Sequence, residues 1–156
     1  MIALPTKTLV ESVEGFHLVS YHAGVNAAFA EVVAAGCKRL ALSSPYDSGL
    51  AELMRGPTRA AAEEHGVRLL EETELLTTML FPRDIALGKT VFLIARDDGV
   101  LREYQELKKM RRRCDDAGNP EDMELDLAWR FGRLLSYGDD RIRGLLSARG
   151  PGGRRG

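Results

Sequence analysis

Two hydrophobic rhythms alternate along this chain, and glycines stand where one gives way to the other. Ala27–Ala35 is built from good helix formers and stops at Gly36, after which Arg39–Ser43 has the short apolar character of a buried strand. The junction recurs: Thr58–His65 stops at Gly66 and Val67–Glu71 follows. Glycine after a last helical turn takes the left-handed conformation cheaply and sends the chain back. Two such junctions in series predict strands alternating with helices, hence an at least partly parallel sheet. Phe16–Tyr21 is β-rich and is expected as a first strand feeding a helix over 25–35. Thr90–Ala95, entered after Gly88, is the clearest strand pattern, whereas Thr73–Leu80 fits a strand or a short helix equally.

From Asp98 the period lengthens to that of a helix. Val100, Leu101, Tyr104, Leu107 and Met110 form an apolar stripe that ends near Asp115–Gly118. Asn119 as N-cap, Pro120 at the first helical position and acids behind it mark the next helix. Leu125, Ala128, Phe131, Leu134 and Leu135 give that helix a core face, with Trp129 at its rim. A last short helix is expected over Arg141–Ala148. Earlier in the chain, Asp47 or Ser48 caps a helical stretch that Gly56–Pro57 should break or kink.

The expectation is therefore an α/β fold. It has a small, at least partly parallel sheet of about four strands with flanking helices, followed by a helical C-terminal third. One domain would span 1–149, with an alternating part at 15–98 and a helical part at 99–149; Gly150–Gly156 would be a disordered tail.

Composition adds limits. The 156 residues are 44% hydrophobic and 29% charged, ordinary for a soluble domain. No apolar run approaches the ~20 residues of a membrane span, and Met1–Pro5 lacks a secretory n-region, so a cytoplasmic protein is expected. Cys37 and Cys114 do not form a close-spaced metal pair and read as free thiols; no metal or cofactor is called for. Net charge is −1, so nothing pulls the whole chain towards nucleic acid.

In an open parallel sheet, ligands bind beyond the carboxyl ends of the strands. Applied here, that rule selects the loops after the first, second and last strands. His22, Asn26, Ser43, Ser44, Tyr46, Asp47, Ser48 and Arg96 would then share one edge, where hydroxyls and free helix N–H groups suit an anion. Capping and turn chemistry explain the same residue types without a ligand.

Other motifs fall away. Gly88-Lys89-Thr90 ends like a phosphate-binding loop, but that pattern needs glycine where Arg83 stands, and a helix, not a strand, must follow. His17 and His22 would face opposite sides of a strand, which is poor for joint metal ligation. Of the acids Glu71, Glu72 and Glu74, only the last two would share a face, and a solvated strand end accounts for them. The run Lys108–Arg113 contains the one concentration of positive charge; a helix C-terminus favours cations, and nucleic acid is an unlikely partner.

The leading functional expectation is binding of a polar or anionic small molecule at the strand-end loops. The alternative is a protein–protein or homo-oligomerisation module using Trp129, Phe131 and Leu146 on the C-terminal helices.

Overall fold

The computed structural model describes residues 17–149. Its elements are α1 (Leu18–Ala34), β1 (Leu40–Leu42), α2 (Ser48–His65), β2 (Arg68–Glu72) and β3 (Val91–Ala95), then α3 (Asp98–Asp116), α4 (Glu121–Leu134) and α5 (Asp139–Ser147). The expected tail at 150–156, and Phe16 of the expected first strand, lie outside the described residues.

The sheet corrects the expectation of a partly parallel, roughly four-stranded array. Among the described residues it has three strands in the order β1-β3-β2, and both outer strands run antiparallel to β3. The helix–glycine–strand junctions are present, with Gly36 at φ 81° and Gly66 at φ 67°. They make β1 and β2 point the same way, as a helical crossover should. They do not make the two strands neighbours: β3 returns from β2 and slots between them. A second correction concerns 18–21, expected as strand, which forms the first turn of α1.

Alternation along the strands sorts the core into two layers. Leu40, Leu42, Leu70, Val91, Leu93 and Ala95 face α3, α4 and α5. Ala41, Leu69, Phe92 and Ile94 face α1 and α2. Helices therefore cover both faces, which is why every residue of β3 is buried and its pattern is continuously apolar. On the helical side, α5 comes so close to α4 that a Cβ on Gly132 would lie 2.7 Å from Ile142 Cγ1.

Local chemistry fixes the element ends. Asp47 caps α2 by accepting a hydrogen bond from Leu50 N–H at 2.9 Å, and Asp97 does the same for α3 through Val100 N–H at 2.9 Å. Pro57 does not end α2. The carbonyl it leaves without a donor belongs to Leu53, which is 60% exposed, so solvent can supply the missing bond. Asn119 is not the N-cap of α4; it sits at φ 57° in the turn before it, and Pro120 takes the cap position.

The connection from β2 to β3, residues 73–90, carries no helix or strand, yet it is tied down. Leu76 and Leu80 are buried in the helical-side core. Leu76 N–H donates to Tyr104 Oη at 3.0 Å, and Tyr104 Oη in turn donates to Glu72 Oε2 at 3.2 Å. Lys108 Nζ reaches the same Glu72 oxygen at 2.8 Å. A long, irregular but packed connection in a compact domain is uncommon and is where binding surfaces tend to be built.

Candidate functional site

The eight strand-end residues separate into three groups. His22, Asn26, Ser43 and Tyr46 do come together, but inside the molecule, between α1, α2 and β3. Asn26 Nδ2 donates to Thr58 Oγ1 at 3.0 Å and to Tyr46 Oη at 3.2 Å. Ser43 Oγ accepts from Phe92 N–H at 2.9 Å and donates to Ser44 O at 2.8 Å. The His22 ring packs edge-on against Tyr46, with centroids 5.0 Å apart. Burial holds the His22 imidazole below its ordinary pKa and pushes the Tyr46 phenol up. These four residues are a packed polar seam joining α1 to α2.

Asp47 and Ser48 are exposed at the start of α2, and Ser44 is half-buried beside them. Arg96 is elsewhere. Because β3 runs antiparallel to β1, its carboxyl end lies beside the start of β1, where Arg96 N–H donates to Arg39 O at 2.9 Å. The 43–49 loop sits at the opposite end, where Tyr46 and Thr90 exchange two main-chain hydrogen bonds of 2.8 Å. The shared edge required parallel neighbours, and the observed sheet removes it.

A deep concavity lies on the other side of the sheet. It is a cleft of about 740 Å³ between the 77–83 segment, the α3–α4 turn and the end of α5. Its floor is an ion pair. Arg111 donates through Nη1 to Glu124 Oε2 and through Nη2 to Glu124 Oε1, both at 2.8 Å. The two side chains are 14% and 10% exposed. Arg111 also binds Asn119 Oδ1 at 2.6 Å and Asp115 Oδ1 at 2.7 Å, and touches Thr77 O at 3.4 Å. Its Nε is buried with no hydrogen-bond partner among the described residues. The hydrogen bond from Arg111 holds the Glu124 carboxyl below its ordinary pKa, and Glu124 reciprocally raises Arg111.

Around that floor, Arg83 and Arg149 reach the cleft and make no side-chain hydrogen bond or ion pair among the described residues. Met79, Phe81 and Pro82 supply apolar surface. A smaller cavity of about 220 Å³ adjoins it, sharing Thr77, Thr78, Phe81, Pro82 and Arg83. The hydroxyls of Thr77 and Thr78 and the carboxylates of Asp115 and Glu121 also line the larger cleft.

Sequence reasoning missed this site although a signal was present. Val100, Tyr104, Leu107, Arg111 and Cys114 follow one helical stripe, and Arg111 occupies a core position on it. Glu124 likewise leads the stripe of Leu127, Phe131 and Leu134 on α4. Accounting for 108–113 by the attraction of a helix C-terminus for cations hid that geometry. Three of the run's five cations are paired within the molecule: Lys108 with Glu72, Lys109 with Glu106 and Arg111 with Glu124.

The residues expected to dock a partner are differently placed too. Phe131 is fully buried, and Leu146 is half-buried against the core. Trp129 is flanked by the guanidinium groups of Arg133 and Arg143, 5.2 and 5.7 Å from its ring centroid. Among the described residues no helix is long and apolar enough to cross a membrane, and no group of acidic, histidine or cysteine residues could hold a metal. Compared with known proteins, the chain matches no family model, no curated protein and no solved structure.

Proposed function

We propose that this protein binds a small polar molecule bearing an anionic group, in the cleft between the 77–83 segment and the α3–α4 turn. One observation carries the proposal: a desolvated Arg111–Glu124 pair forms the floor, while Arg83 and Arg149 stand at the cleft without a bonded carboxylate among the described residues. Buried charges that satisfy each other hold a floor rigid, and a guanidinium left over presents a fork of donors to a carboxylate or phosphate. The cleft volume of about 740 Å³ is suited to a small ligand, for which roughly 300–1,000 Å³ is typical. The apolar face of Phe81 and Met79 beside the charges completes the usual mixture of greasy wall and few polar anchors.

Ligand-observed NMR with a set of small carboxylates, phosphates and neutral polyols tests this directly. Thr77 is exposed on the cleft wall, so Thr77→Trp fills the space without touching the core. Carboxylates or phosphates should bind the wild type, and binding should weaken at least about tenfold in Thr77→Trp and in Arg83→Gln. Equal binding by both variants, or no anionic binder in the wild type, would overturn the proposal.

A further inference from the structure

The smaller cavity of about 220 Å³ beside the cleft differs from it in chemistry, and the difference selects a class of ligand; this step rests on the cleft being the binding site. Half of the residues lining the cleft are charged, whereas only Glu74 and Arg83 are charged in the smaller cavity. Leu75, Leu76, Ile85, Ala86 and Leu87 join the shared Phe81 and Pro82 there as apolar lining. Leu76 belongs to the helical-side core, and Leu75, Phe81 and Ala86 pack against it, which fixes one part of this surface. Ile85 and Leu87 do not pack there. They are 46% and 78% exposed, two of the three large hydrophobic side chains exposed among the described residues. Arg83 lines both cavities and makes no side-chain hydrogen bond or ion pair among the described residues.

Isoleucine and leucine left in water beside a concave apolar surface are a place for an apolar partner. From this arrangement we infer that the site takes an unbranched aliphatic monocarboxylate of medium length. Its carboxylate lies on Arg83, and its alkyl chain lies in the smaller cavity against Leu76, Phe81, Ile85 and Leu87. The head is fixed by charge: Arg83 is the one cation lining the smaller cavity, and Glu74 repels a carboxylate from the rest of it. The tail is fixed by desolvation. In the cleft it would strip water from charged side chains, whereas in the smaller cavity it covers side chains that gain by leaving water.

The level and the slope of a chain-length series separate head from tail. Butanoate, hexanoate and octanoate are titrated into the full chain by NMR, with hexanol as the uncharged counterpart of hexanoate. A fully buried methylene is worth about fourfold in affinity, so octanoate should bind at least about tenfold more tightly than butanoate. Hexanoate should exceed hexanol by about fivefold or more. Replacing Ile85 and Leu87 together by serine should flatten the series while leaving butanoate within about twofold of its wild-type affinity. Arg83→Gln should weaken all three acids by a similar factor and keep the slope. All three side chains are exposed, so these changes spare the core. An octanoate no tighter than butanoate overturns the inference while anion binding in the cleft stands. A slope that survives the serine substitutions also overturns it, as does hexanol binding as well as hexanoate. Phosphates bound in the screen without any of these acids overturn it equally. Only the absence of any anionic binder removes the cleft proposal as well.

Discussion

His22 and Asn26 show at the scale of single residues what burial does to polar side chains. Both are at most 2% exposed, on the same stripe of α1 as Ala30 and Val33. Asn26 finds partners in Thr58 and Tyr46, whereas His22 Nδ1 is buried with none among the described residues. The ring therefore favours its neutral form, and burial sets the folded pKa below the ordinary 6.5. The unfolded chain binds this proton first, so its contribution to stability is complete above about pH 6.5 and lost as the pH falls towards the folded value. Burial pushes the phenol of Tyr46, which packs against the ring, up and further from that window. Urea unfolding between about pH 5 and pH 7.5 should thus show a steeper acid loss for the wild type than for His22→Leu. Parallel profiles would mean that the ring protonates without cost where it sits.

At the scale of elements, one helix start and one strand order were misread for physical reasons. Placing His22 and Asn26 on the buried stripe of α1 breaks the apolar periodicity that would have announced a helix from Leu18, so the β-rich segment before them resembled a strand. Glycine punctuation fixed the direction of β1 and β2 but carries no information on which strand sits between them. What was legible was local: the capping role of Asp47, the turns at Gly36 and Gly66, the β3 strand and the three C-terminal helices. The cleft was not legible because its walls meet only in the folded chain. The tie between α3 and α4 tests this level. Removing one charge of a buried pair typically costs about 3 kcal/mol, because its partner stays desolvated. Glu124→Gln should lower unfolding free energy by that order, measured in urea at neutral pH. The Glu124 pKa is depressed, so the pair stabilises above about pH 4.5 and that contribution fades as the pH falls through the folded value. The variant and the wild type should therefore converge in acid; a constant gap across pH would assign the loss to packing instead of charge.

For the whole molecule, the decisive property of the cleft is how its parts are spread along the chain. Thr77–Arg83 belongs to the β2–β3 connection, Arg111 to α3, Glu121 and Glu124 to α4, and Arg149 follows α5. None of these segments brings its partners with it when the chain unfolds. A ligand held by several of them binds the native state and has no site in the unfolded one, so its free energy adds to global stability. At one hundred times its Kd the gain is about 2.7 kcal/mol. For a domain of this size that corresponds to a Tm increase of roughly 5–11 °C. The strands should report it as well as the cleft. The β3 amides, buried from Val91 to Ala95, should exchange only through global opening, and ligand should slow that exchange by the factor by which it suppresses unfolding. If the ligand acts only on a locally mobile connection, the outcome differs: protection rises over 77–83 while the β3 amides and the Tm stay where they were. Hydrogen exchange with and without ligand separates the two. Protection extending to β3 would show that this cleft is joined energetically to the sheet through Leu76, Leu80 and Tyr104, the residues that already anchor the connection to the core.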